Sequence, residues 1–177
     1  MSRAELTPFS YAILVLVGRS GAGPHDLVRM GRQGRIYAAA AESQYYAEPK
    51  RLAHLGYLSA RKGPGRTRER THYTLTERGI DALHEWARSP IRFPRVLHEG
   101  VVRLLAADLV GEQPVRESVV ALRAELNELD GLIDQAEHVA ATLPHREKYL
   151  RLNHRLARRL VAAHRDWIDE VEHSLEE

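Results

Sequence analysis

Residues 43–51 read SQYYAEPKR, a run in which hydroxyl, amide, amine and guanidinium groups recur at helical spacing. Tyr45, Pro49, Leu52 and Leu55 fall at i, i+4, i+7 and i+10 and make one apolar face. Ser43, Gln44, Ala47, Lys50, Arg51 and His54 point away from it, with Tyr46 on the border. Such an outward set suits hydrogen bonding to base edges and phosphates: glutamine to adenine, lysine to guanine, serine to either. Ala47 is small enough to let the helix approach a groove floor. A solvated polar face would have the same composition, so the discrimination comes from the residues on the C-terminal side of this run. Gly56 ends the helix, residues 57–60 change to a β pattern, and residues 71–75 form the return strand. Between them Gly63-Pro64-Gly65 makes the tip, surrounded by Arg61, Lys62, Arg66, Arg68 and Arg70, with Glu69 alone opposing. A flexible tip beside arginines suits phosphates or a narrow minor groove.

The preceding residues supply the support for this helix and hairpin. Thr7 is an N-cap and Pro8 occupies the first helical position, where its missing N–H costs nothing. A first helix over residues 9–17 ends at Gly18. The glycine-rich turn over 18–24 resembles a phosphate loop only faintly, because the Gly-Lys-Ser/Thr ending is missing. A short second helix over 24–30 is predicted to stop at Gly31. Thr76 caps a fourth helix over 77–88, with Leu83 and Trp86 expected on its buried side. Two short helices, a third with a polar outward face, and a basic hairpin predict a winged helix-turn-helix. Pro49 leaves that helix open to two interpretations. Either it is kinked near residues 45–48, or it begins at Pro49 and residues 43–48 form a separate turn.

Charge is distributed to match. Residues 1–90 carry 14 Lys/Arg and 8 Asp/Glu, net +6, whereas residues 91–177 carry 12 and 16, net −4. Positive charge gathered in one half prepares that half for a polyanion. The absence of cysteine excludes disulfides and thiolate metal sites. No two of the ten histidines stand three or four residues apart, so no helical two-histidine metal site is predicted. Asp169 and His173 share a helix face, which is expected to be a solvated pair. No Gly-x-Ser-x-Gly nucleophile occurs, and no catalytic, cofactor or metal site is expected. The longest apolar stretch has seven residues, so neither a membrane span nor a signal peptide is expected, and the protein is assigned to the cytoplasm.

Ser89-Pro90 through Phe93-Pro94 interrupts the helical pattern and sets a predicted boundary: a winged helix-turn-helix domain at 1–90 and a helical domain at 91–177. The expected fold class is mainly α, with a two-stranded β wing and a long antiparallel helical hairpin at the C-terminal end. One helix is predicted over 95–109, with Val96, Leu97, Val101, Leu104, Leu105 and Leu109 mostly inside. From Val115 the apolar positions Val119, Leu122, Leu126, Leu129, Ile133, Ala136, Ala140 and Leu143 alternate by four and three, a heptad seam. After Pro144 a last helix carries Tyr149, Leu152, Leu156, Leu160, Ala163, Trp167, Val171 and Leu175 as its apolar line. Two helices cannot bury this much stripe between themselves, and a second copy in two-fold contact is the simplest taker. Packing against the rest of the same chain is the alternative. The expected dimerisation residues are Val119, Leu122, Leu126, Leu129, Ile133, Leu152, Leu156, Leu160 and Trp167.

The sequence resembles the PadR family of bacterial transcriptional regulators over essentially its whole length. The resemblance rests on residues 46–52 with Leu55-Gly56-Tyr57-Leu58, on the arginine-rich wing leading into His72-Tyr73-Thr74-Leu75-Thr76-Glu77-Arg78-Gly79, and on Trp86. It implies a homodimer on double-stranded DNA, usually a repressor at a near-palindromic operator with half-sites about one turn apart. Carried over by position, Tyr46 and Lys50 are DNA contacts of the recognition helix, and Arg61, Lys62, Arg66, Arg68 and Arg70 are wing contacts. It also implies that a small, often aromatic effector can release the DNA. Tyr11, Trp86, Phe93, Tyr149 and Trp167 are candidates for such a pocket, or simply aromatic core. A non-catalytic interaction module, assembling partners through the helical hairpin, is the competing class. Salt separates the two, since DNA binding weakens steeply as salt rises.

Overall fold

A computed structural model of the protein describes residues 6–33, 40–63, 70–94 and 98–175. The predicted wing contacts Arg66 and Arg68 and the predicted core residues Val96 and Leu97 lie outside the described residues. The chain forms two compact units, Met1–Arg92 and Phe93–Glu177.

The first unit contains α1 (Pro8–Val17), α2 (Pro24–Gln33), α3 (Glu42–His54), β1 (Leu58–Gly63), β2 (Arg70–Leu75) and α4 (Glu77–Arg88). Thr7 caps α1 as its sequence predicts: its hydroxyl accepts from Ser10 N–H at 3.2 Å, and Ser10 Oγ accepts from Thr7 N–H at 2.9 Å. Ile13, Leu14 and Val17 of α1 meet Leu27, Val28, Tyr45, Leu52, Tyr57, Leu58 and Tyr73 in one core. Contrary to expectation, α2 continues through Gly31. A Cβ at position 31 would collide with the Tyr45 ring, so this glycine makes room for α3 instead of ending a helix.

The strands pair antiparallel from Leu58↔Leu75 to Gly63↔Arg70, so Gly63 belongs to β1 and not to the tip. The glycine turn after α1 contributes a further bridge, with Ala22 and Tyr73 exchanging both backbone hydrogen bonds at 3.0 Å. Gly21 makes this approach possible: its φ is +75°, and a side chain there would strike His72 and the Tyr73 carbonyl. Thr76 caps α4, accepting from Gly79 N–H at 3.1 Å and donating to the Gly56 carbonyl at 2.7 Å. Trp86, expected inside, is 43% exposed, because only one side of α4 lies against the rest of the unit. Its ring stacks on Tyr11, with centroids 4.8 Å apart.

The second unit contains α5 (Glu99–Leu105), α6 (Ala107–Val110), α7 (Glu112–Val120), α8 (Leu122–Ala141) and α9 (Pro144–Ser174). Two helices predicted as continuous are each divided. The first breaks at Ala106, and none of its described residues is buried, including Val101, Leu105 and Leu109. The heptad helix breaks at Ala121. Its seam is nevertheless real, with Val115, Val119, Leu126, Ile133, Ala136 and Ala140 all buried. Against it α9 presents His154, Ala157, Val161, Ile168 and Val171, a line that shares only Val171 with the predicted one. Ion pairs stitch the hairpin. Arg158 reaches Asp130, Asp134 and Glu137, while Arg123 reaches Asp169 at 2.6 Å and Glu172 at 2.7 Å. Asp169 thus bonds across the hairpin, where a solvated pair with His173 was expected. No helix among the described residues is long and apolar enough to cross a membrane.

Candidate nucleic-acid interface

The orientation of α3 follows from its buried side. Tyr45, Pro49 and Leu52 are buried as the spacing predicts, and Phe9 of α1 meets the Tyr45 ring edge-on at 5.2 Å. Burial raises the Tyr45 phenol above its ordinary pKa and keeps it neutral. The opposite face carries Ser43, Gln44, Ala47, Lys50, Arg51 and His54, all exposed, with Tyr46 half-buried between the faces. The helix is continuous across Pro49, so residues 43–48 are in helical register and no separate turn precedes the proline. The Tyr45 carbonyl loses its intrahelical partner to the proline ring, and burial of that ring offsets part of the cost.

Several of the outward side chains already have partners. Gln44 Oε1 accepts from the Ala41 N–H at 3.2 Å and closes the first turn of the helix. The Tyr46 hydroxyl lies 3.1 Å from His25 Nδ1 of α2, and the two rings meet edge-to-face. Arg51 is held by Glu48 at 2.7 Å and 2.9 Å and by Ser10 at 3.1 Å. Arg51, predicted as a DNA contact, is thus engaged in a network with α1 while its side chain stays 41% exposed. Nothing in the sequence flagged His25 or Glu48, because their partners stand 21 and 38 residues away. Ser43 and Lys50 complete the exposed polar face.

The strand register sorts the wing. Residues directly opposite in an antiparallel pair share a face. Leu58, Ala60 and Lys62 thus lie with Leu75, Tyr73 and Thr71 on the side that contributes Leu58 and Tyr73 to the core. Ser59, Arg61 and Gly63 lie with Thr74, His72 and Arg70 on the other. Arg61 and Arg70 are both exposed there, joined by His72, whose Nε2 lies 3.2 Å from the Ser20 carbonyl. Lys62 is exposed as well, but from the opposite face.

The residues expected to form a dimer contact separate into two groups. Val119, Leu126 and Ile133 are buried within the second unit, and Leu122 and Leu129 are half-buried there. Trp167 is likewise occupied, lying edge-on to His98 at 5.3 Å. Leu152, Leu156 and Leu160 remain 56%, 49% and 37% exposed, and Tyr149 continues their line at 67%. The five aromatic pocket candidates are divided between the two units. Tyr11 and Trp86 stack in the first unit, whereas Phe93, Tyr149 and Trp167 belong to the second. Phe93 is 93% exposed. Tyr149 and Trp167 stand on one helix about 27 Å apart at 1.5 Å per residue, too far to line one small pocket within one chain. No cluster of three or more metal-ligating side chains occurs among the described residues.

A unit of short helices with a paired two-strand wing, joined in one chain to a long helical hairpin, defines a winged helix-turn-helix protein with a helical second unit. Comparison with solved structures specifies the fold further. No protein-family model and no curated protein matches the sequence. The structure, however, superposes on PadR of Bacillus subtilis in complex with operator DNA with a TM-score of 0.70 at 21% identity, covering 94% of this chain and 98% of that one. The same Bacillus subtilis protein in complex with p-coumaric acid gives 0.71 at 22% identity over 96% and 99% of the two chains. The virulence activator AphA of Vibrio cholerae gives 0.71 at 24% identity over 94% and 97%. The chain has the PadR-type fold along nearly its whole length.

Proposed function

We propose that this protein is a PadR-family regulator of transcription that acts in the cytoplasm as a homodimer on double-stranded DNA. The observation that carries the proposal is the exposed polar face of α3, whose other side is anchored in the core, followed directly by a wing with Arg61 and Arg70 on one face. A helix so mounted can enter a major groove while the wing neutralises flanking phosphates. Sharing a fold with a protein crystallised on operator DNA supports the same reading. Tyr46, Ser43, Gln44 and Lys50 are the proposed groove contacts, and Arg61, Arg70, Lys62, Arg66 and Arg68 the proposed wing contacts. The exposed line Tyr149, Leu152, Leu156 and Leu160 supports two-fold pairing through α9, which would bring two recognition helices to a near-palindromic site. Repression is the proposed outcome, with release by a small aromatic effector, in line with the likeness to a protein that has been crystallised with p-coumaric acid.

A mobility-shift titration on the DNA upstream of the protein's own gene, repeated from low to high salt, tests the proposal. Binding should weaken steeply with salt through counterion release. A folded dimer that fails to shift this DNA at low salt, or binds without salt dependence, rejects it. The first outcome points instead to a protein-interaction module working through the α9 line.

A further inference from the structure

We infer that Glu48 is a positioning residue that clamps the recognition helix to α1, and that Arg51 serves this clamp and does not read DNA. The inference rests on the DNA-binding function proposed above. Glu48 stands on α3 directly before Pro49, with its side chain only 15% exposed. Its Oε1 accepts from the hydroxyl of Ser10 in α1 at 2.6 Å and from Arg51 at 2.7 Å, while Oε2 accepts from Arg51 Nε at 2.9 Å. Arg51 also donates to Ser10 Oγ at 3.1 Å, and Thr7 N–H donates to the same oxygen at 2.9 Å. Ser10 is fully buried. The N-terminal cap of α1 and the middle of α3 therefore share one hydrogen-bond network.

Its location gives the network a purpose. Proline at 49 removes the hydrogen bond that would join positions 45 and 49, so α3 is weakest at the turn where it must hold its outward face steady. Core packing of Tyr45 and Leu52 fixes which side is buried, but apolar contacts resist rotation poorly because they are non-directional. Charge-assisted hydrogen bonds to a second helix are directional and fix the roll of α3. The chemistry also accounts for an acidic residue on a helix that would meet phosphates. Arg51 hydrogen bonds hold the Glu48 carboxyl below its ordinary pKa, with Ser10 adding to this against the effect of burial, and the pair presents no net charge to DNA.

The test measures two quantities separately: the ratio of affinity for the upstream DNA to affinity for random DNA of equal length, and the salt slope. For Glu48→Gln, Arg51→Met and the double variant, the ratio should fall about tenfold, by the same factor in all three, since they break one network. The salt slope should stay unchanged in each. If Arg51 instead touches a phosphate, Arg51→Met lowers the slope by about one and Glu48→Gln leaves the ratio intact, and the clamp is overturned. Circular dichroism verifies folding, and Ser10→Ala attacks the network from α1 should Glu48→Gln fail to fold. Were the wild-type protein not to bind DNA at all, the function would fall, and the clamp would still be judged by amide exchange along α3. Faster exchange at Leu52 and Ala53 in Glu48→Gln supports it, and unchanged exchange removes it.

Discussion

The ring of Tyr45 occupies the space that any side chain at position 31 would need, so Gly31 of α2 and Tyr45 of α3 pack as backbone against ring. This contact sets the distance between the two helices of the helix-turn-helix, and only glycine permits it. Gly131 of α8 is the opposite case, since a Cβ there would meet nothing within 4 Å. The same substitution is thus expected to act with opposite sign at the two sites. Gly31→Ala should destabilise its unit by about 1–3 kcal/mol through overpacking, more than the gain in helix propensity returns. Gly131→Ala should stabilise by about 0.5–1 kcal/mol. Thermal unfolding followed by circular dichroism measures both, and Tyr45→Leu in the Gly31→Ala background should restore part of the loss.

The two faces of the wing predict unequal roles for its cations. Arg61 and Arg70 share the outward face, whereas Lys62 lies on the other. Replacing both arginines by alanine should weaken binding to operator and random DNA alike, and lower the salt slope by about two, near 0.9 for each phosphate no longer neutralised. Lys62→Ala should lower the slope less than either single arginine change. An equal or greater effect of Lys62→Ala would mean that the wing engages DNA through its other face.

Much of the first unit was legible in the sequence because its signals are local. Thr7-Pro8 and Thr76 announce helix starts by capping chemistry, and the spacing of Tyr45, Pro49 and Leu52 finds the buried face of α3. Gly31 was misleading because composition does not separate a glycine that ends a helix from one that admits a neighbour. The breaks at Ala106 and Ala121 carry no glycine or proline to mark them. In α9 two apolar lines coexist and converge on Val171, and the leucine-rich one was the more visible. Yet α8 turns Ala136 and Ala140 inward, and a close pair of helices accepts Ala157 and Val161 more readily than large leucines. Periodicity identifies an apolar face but not its partner. The candidate site was legible as a set of residue types, whereas the links from Arg51 to Ser10 and from Tyr46 to His25 depend on tertiary structure.

That inner line of α9 includes His154, 7% exposed, whose Nδ1 is buried without a hydrogen-bond partner among the described residues. Burial lowers its pKa below the ordinary histidine value, with Glu137 partly opposing and Arg158 assisting. In the unfolded chain the imidazole titrates near about 6.5. Below that pH the unfolded state binds the proton that the folded state refuses, so stability falls as the pH drops through the unfolded value toward the folded one. The contribution of one such group is at most about 1.4 kcal/mol per pH unit. His154→Leu should therefore flatten the decline in melting temperature between about pH 7 and pH 5. Parallel pH profiles for the variant and wild type would assign the decline to other groups.

The exposed leucines and the buried seam make separable predictions for assembly. Leu152→Asp with Leu156→Asp places charge on the outer line of α9, which the chain itself leaves half exposed. Such a variant should keep its helical content and melting behaviour but sediment as a monomer. Its affinity for a two-half-site operator should fall about a hundredfold or more, because the second half-site is then no longer engaged from the same particle. Leu126→Asp should behave differently: the residue is 3% exposed in the α8 seam, so a carboxylate there must be desolvated or the hairpin must open. Loss of helical signal should accompany any loss of dimer in that variant. If the outer-line variant remains a dimer in sedimentation, α9 is not the pairing surface. The next to test is then the exposed apolar set Val101, Val102, Leu105 and Leu109 on α5 and α6, by the same charge substitution.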